Sequence, residues 1–203
     1  MQSTSNRYCA IALAAIAWFS IVLQLYLTTG SLSNFLSYFT VLCNLLIAVS
    51  LTFASLAPNT RAGVFFSLLS VQSAIALYIF IVCLVYNTVL RGILTLTGWH
   101  YFVDNMLHVV VPILYILYWL FFRTTGTLKW QDGLYWVFFP ITYLIYSLIR
   151  GSIVGWYPYP FLNAAKLGYE KVFLNIAVMV VIFLVAGLAL IFMTRSLTRK
   201  EAA

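Results

Sequence analysis

Six separate runs of roughly 20 apolar residues constrain this chain more than anything else in it, because that is the length that crosses a bilayer as helix. They fall at about 8–27, 36–57, 64–86, 102–122, 134–150 and 172–193, with ends uncertain by ~2–4 residues. Only 7% of the 203 residues are charged and 64% are hydrophobic, so a soluble domain is excluded. Connections of roughly 5–20 residues leave no space for a second domain between the runs. The expectation is an all-α polytopic membrane protein, residues 1–203 forming a single six-transmembrane-helix bundle. The fifth run is the shortest and carries Tyr and Ser, which weakens its signal. The first reads as a span rather than a cleaved signal peptide, being long for one and followed by no small-x-small cleavage site.

Charge supplies an orientation. Arg7, Arg61, Arg123, Lys129, Arg195, Arg199 and Lys200 fall on one side of six spans, and Arg91, Arg150, Lys166 and Lys171 on the other. By the positive-inside rule both termini are expected in the cytoplasm. The net charge of +7 then reads as topology rather than nucleic-acid binding. Trp99, Tyr101, Trp130, Tyr135, Trp136, Trp156, Tyr157 and Tyr159 cluster at span ends, as an aromatic interface belt does. Cys9, Cys43 and Cys83 lie in or beside spans and give no disulfide framework.

Against this background His108 stands out. An ionisable side chain inside a membrane span is costly and is by default a functional-site hypothesis. Pro112 lacks the N–H that would bond the His108 carbonyl four residues earlier, so polar partners are expected nearby. With the termini inside, the second and fourth spans enter from the outer side. Thr40 then lies about four or five residues into one and His108 about six into the other, at matched depths of roughly 6–9 Å. Ser33, Ser37, Thr40 and Asn44 follow at steps of four, three and four and share a helical face. Asp104 precedes His108 by four. Tyr86 and Asn87 end the third span, and Tyr143, Tyr146, Ser147 and Arg150 make a polar stripe on the fifth.

Such a layer suits nucleophilic acyl transfer. A threonine hydroxyl attacks once a base takes its proton, and a neutral imidazole is a suitable base. In this reading Thr40 and His108 are the catalytic pair, Asp104 fixes the imidazole tautomer, and Asn44, Asn105 or Arg150 donates to a developing oxyanion. Ser37 and Tyr146 are supporting or substrate-binding candidates. Plainer roles stand beside these. Thr40 can bond the carbonyl one turn back, His108 can cement helices, Asp104 can be a helix N-cap, and Arg150 can snorkel to headgroups. Cys43 is a rival nucleophile or core packing, and His100 reads as a surface residue. No His, Cys or acidic cluster has metal-ligand spacing, haem would need a second axial ligand, and the chemistry requires no cofactor.

Tyr38-Phe39-Thr40-Val41-Leu42-Cys43-Asn44 resembles the threonine motif of the androgen-induced family of six-pass membrane proteins, and Asp104 to Pro112 resembles its histidine motif. The resemblance implies an intramembrane threonine hydrolase cleaving fatty acid esters of hydroxy fatty acids, with the nucleophile mapping onto Thr40 and the histidine onto His108. Arg150-Gly151 followed by Gly155-Trp156-Tyr157-Pro158-Tyr159-Pro160-Phe161-Leu162 is more similar to bacterial six-pass relatives, implying a bacterial inner-membrane location. That tyrosine–proline stretch reads as extended, with interfacial rings, serving as a lid or an anchor. The expected partner is a membrane lipid or fatty-acyl ester. The alternative is a non-enzymatic lipid or small-molecule binding or transport protein built on the same polar layer, and a third reading is a structural membrane partner.

Overall fold

The computed structural model describes residues 4–201, with side chains as far as Thr198. The side chains of Arg199 and Lys200, and Ala203 at the C-terminal end, lie outside the described residues. Among the described residues all regular structure is helical, and six helices are long and apolar enough to cross a membrane. This is an integral membrane protein of the all-α class. The spans group into two compact units, residues 1–126 and 127–203.

The first unit holds four spans. Helix α1 (Thr4–Leu27) is followed by a single turn, α2 (Leu32–Phe35), and by α3 (Phe39–Leu56). After the short α4 (Arg61–Phe66) comes α5 (Leu69–Val85), which continues as a π-helical turn over Tyr86–Leu90. The fourth span is composite: α6 (Gly98–Asn105), a second π turn (Met106–Val110) and α7 (Val111–Phe122). Helix α1 packs on α3, α3 on α5, α5 on α7 and α7 on α1, closing a ring of four. The second π turn touches α1, α3 and α5, so it lies inside that ring.

Small residues allow this packing. Helix α1 buries Ala10, Ala14, Ala17 and Ser20, spaced by four, three and three, and α3 buries Cys43, Ile47, Ser50, Leu51 and Ala54. Lipid tails are as apolar as leucine, so close backbone approach and interhelical hydrogen bonds carry association. The bonds are present: Trp18 Nε1 donates to Thr52 Oγ1 at 3.2 Å, Tyr118 OH to Asn6 Oδ1 at 2.8 Å, and Trp119 Nε1 to Ser73 Oγ at 3.1 Å.

Four expectations about helix limits need correction. The third span begins at Leu69, not at 64, because Thr60 caps a separate helix through Gly63 N–H and Leu68 is extended, with ψ 132°. Thr124 holds that break open, its Oγ1 donating to Ser67 O at 2.7 Å. The fourth span begins at Gly98, so Asp104 sits inside a helix and is not its N-cap, a place taken by Thr97. Ser33 belongs to α2 and Ser37 to the turn before α3, so the four-residue polar stripe is broken between Ser37 and Thr40. The helix starts from which depth was reckoned also shift: Thr40 is the second residue of α3 and His108 the eleventh of its span, about 1.5 and 15 Å from their respective helix starts.

The second unit contains α8 (Asp132–Val154), a 3-10 turn (Pro160–Leu162), α9 (Ala164–Leu167) and α10 (Tyr169–Glu201). The fifth span is thus longer than its weak signal suggested and runs through Pro140. It ends at Gly155, whose left-handed φ of 70° suits a residue without Cβ. Tyr157 and Tyr159 are buried against the protein. The Tyr157 ring lies against Gly151 where a Cβ would be, and Tyr159 stacks on Phe161 at 5.2 Å.

Candidate functional site

Thr40 meets His108 across the inside of the four-span ring. Thr40 Oγ1 and His108 Nε2 are 3.2 Å apart, a side-chain contact between residues 68 positions apart in sequence. Thr40 is 5% exposed, and the His108 and Asp104 side chains are 15% and 18% exposed. The pair is therefore shielded by protein but not sealed.

The imidazole tautomer follows from its other nitrogen. His108 Nδ1 lies 2.8 Å from the Asp104 backbone O and 3.1 Å from Asp104 Oδ1. Both are acceptors, so Nδ1 carries the proton and Nε2 presents a lone pair toward the threonine hydroxyl. Asp104 thus holds the ring through Nδ1 and caps no helix.

Asn44 fixes the other side. It is fully buried one turn below Thr40, and its Nδ2 donates to Thr40 O at 2.8 Å and to Leu107 O at 3.1 Å. Both amide hydrogens are used, so Asn44 has none left for an oxyanion. Its effect is to pin α3 to the π turn that carries His108. Among the described residues Asn44 Oδ1, although buried, has no hydrogen-bond partner.

Both π turns bear on this geometry. In the second, Val111 N–H bonds Met106 O, five residues back instead of four. Pro112 follows directly and has no N–H to sustain the ordinary register, which gives a local reason for the widened turn. In the first, Arg91 N–H closes on Tyr86 O at 2.7 Å. Tyr86 is buried, its ring stacks on the His108 imidazole with centroids 4.2 Å apart and planes 15° apart, and its hydroxyl donates to Asp104 Oδ2.

The remaining candidates separate. Ser37 is buried, and its Oγ donates to Ser33 O at 2.7 Å. Asn105 is half-buried at the end of α6, where Nδ2 donates to Tyr101 O at 2.8 Å and Oδ1 accepts from Arg91 at 3.4 Å. Arg91 also donates to Asn87 Oδ1 at 2.7 Å. Tyr146 and Arg150 are on α8, in the second unit. There Tyr143, Ser147 and Gly151 form the buried face, Tyr146 is exposed, and the Arg150 guanidinium lies 5.3 Å from the Trp156 ring centre. Cys43 is fully buried beside the site. Tyr38, just outside the span, has its phenol pushed above the ordinary range by burial and stays neutral.

Two residues of this arrangement escaped the sequence reading. Tyr86 entered only as one polar group at a span end, and Arg91 only as a topology charge. Tyr86 did carry a signal: it sits at the same end of its span as Asn87 and Arg91, a polar cluster closing an otherwise apolar run.

Fold and site together define an integral membrane protein with six candidate spans among the described residues, carrying a part-buried hydroxyl–imidazole–carboxylate chain. Compared with family models, with curated proteins and with solved structures, the chain matches none.

Proposed function

We propose that this protein is an intramembrane hydrolase of lipid-like carboxylic esters, with Thr40 as nucleophile and His108 as general base. The observation that carries the reading is the 3.2 Å contact from Thr40 Oγ1 to an imidazole nitrogen whose partner nitrogen is held by Asp104. That is the nucleophile–base–orienter sequence that acyl transfer needs. Thr40 Oγ attacks the ester carbonyl carbon while its proton passes to His108 Nε2. The tetrahedral intermediate collapses, and the departing alkoxide takes that proton and leaves as an alcohol. Water then attacks the acyl-threonine, giving its proton to Nε2, and the acid is released with Thr40 restored.

Position supports the same reading. Thr40 lies in the first turn of the 18-residue α3, where the helix dipole and first-turn amides favour developing negative charge. The six apolar spans favour an acyl substrate delivered from the bilayer. The bias of basic residues supports cytoplasmic termini and a site in the outer leaflet, and a bacterial inner membrane is the proposed location.

The test is hydrolysis of a long-chain fluorogenic acyl ester by purified protein in detergent or nanodiscs. Thr40→Ala and His108→Ala should each lower turnover by roughly 10²-fold or more, with no further loss in the double variant, because the two act as a unit. Thr40→Ser should keep part of the rate, and Cys43→Ala most of it. Folded Thr40→Ala protein turning over at the wild-type rate would end this reading and leave a lipid-binding role in its place.

A further inference from the structure

The geometry points to Tyr86 as the positioning residue of this site, locking both members of the His108–Asp104 couple at once. The inference rests on the hydrolase reading and deepens it. Tyr86 makes two unlike contacts with one couple. Its ring covers a face of the imidazole at 4.2 Å and 15°, and its hydroxyl holds Asp104 Oδ2, turning Oδ1 toward His108 Nδ1 at 3.1 Å. A residue present for packing alone needs only the first contact. One present to satisfy a buried hydroxyl needs only the second.

The backbone around it supports the same assignment. π-helical residues make up well under 1% of protein chains, yet the described residues include two π turns, and these hold the two stacked residues, Tyr86 and His108. Such turns concentrate at functional positions. Tyr86 is further fixed from behind, where Arg91 closes its turn on Tyr86 O and bridges to Asn87 and Asn105.

The consequence is kinetic. When His108 takes the Thr40 proton it becomes a cation, and an aromatic face at this separation attracts a cation more than a neutral ring. The phenol also keeps Asp104 on Nδ1, so the imidazole cannot rotate Nε2 away from Thr40. Tyr86 therefore contributes to the chemical step and hardly at all to substrate binding.

Tyr86→Phe removes the hydroxyl and keeps the stack, whereas Tyr86→Leu removes both. In the acyl-ester assay, kcat should fall severalfold for Phe and roughly 10²-fold for Leu, as lost orientation does, with KM nearly unchanged. Phe is thus a partial rescue of Leu. An activity-free readout separates this proposal from the hydrolase reading. The protein has two histidines, so a His100→Gln background leaves His108 as the one imidazole signal. Its ring protons should lie upfield in wild type and Tyr86→Phe, under the aromatic ring current, and return to ordinary shifts in Tyr86→Leu. Its Nδ1–H resonance should broaden in both variants. Folded Tyr86→Leu protein with wild-type kcat, or with unaltered His108 resonances, would overturn the proposal. If wild type hydrolyses no ester, the hydrolase reading fails by itself, and the resonances alone decide whether Tyr86 holds the couple.

Discussion

Replacing Asn44 with Ala should loosen the site without touching any reacting atom. The side chain is fully buried and gives both amide hydrogens to carbonyls on two different spans, at 2.8 Å to Thr40 O and 3.1 Å to Leu107 O. Interhelical polar contacts inside membranes average about 0.6 kcal/mol, and buried bonds in water about 1 kcal/mol. Two such bonds give roughly 1–2 kcal/mol. Truncation also removes the buried Oδ1, which has no partner among the described residues, and this offsets part of the loss. The net expectation is about 1 kcal/mol of destabilisation, a fall in apparent melting temperature of a few degrees, read by thermal unfolding in detergent. Asn44→Asp should be worse, because it sets a carboxylate against two carbonyl oxygens and forces either repulsion or protonation. Turnover of Asn44→Ala should drop more than its stability suggests, since α3 is freed from the turn bearing His108. A variant as stable and as active as wild type would show that these two bonds do not hold Thr40 to His108.

Two further outcomes are expected. Gly151→Ala should cost about 1–3 kcal/mol, because its Cβ would clash with the edge of the Tyr157 ring, which must shift; thermal unfolding of the purified variant reads this, and an unchanged melting temperature would count against the packing described. Reporter fusions at Gly155 and after Ala203 should lie on opposite sides of the membrane, and finding them on the same side would refute the orientation drawn from basic residues.

The spans were legible because 20 apolar residues in a row have few other uses. Thr40 and His108 were legible because polar groups inside such runs are costly enough to need a reason. Their contact does not, however, follow from the depths assigned to them. The N-terminal end of the fourth span extends to Gly98 through ordinary residues such as Trp99 and Tyr101, while the second is cut back to Phe39 by the turn at 36–38. The two errors had opposite signs. Hydrogen-bond register was not legible either, since a π turn has no composition of its own and Pro112 only hints at one. Asn44 was recognised as polar company, but which of its atoms would be engaged depends on Leu107 O, a backbone atom that sequence does not place. Tyr86 stayed hidden for a simpler reason: a tyrosine at the end of a membrane helix is commonplace.

The two widened turns carry a consequence for anyone drawing this protein on a helical wheel. An α-helix advances about 100° per residue, so a single extra residue accommodated in a turn rotates everything beyond it by about that angle. A wheel drawn through 98–122 as one continuous helix therefore assigns the wrong face to residues on one side of His108. By the same arithmetic, deleting Val109 or Val110 from the Met106–Val110 turn would restore the ordinary spiral and leave the span about 1.5 Å shorter, with Asp104 and His108, four apart, still on a common face. Removing a residue outside the turn, near Phe121, would shorten the span equally while leaving the rotational phase of the site intact.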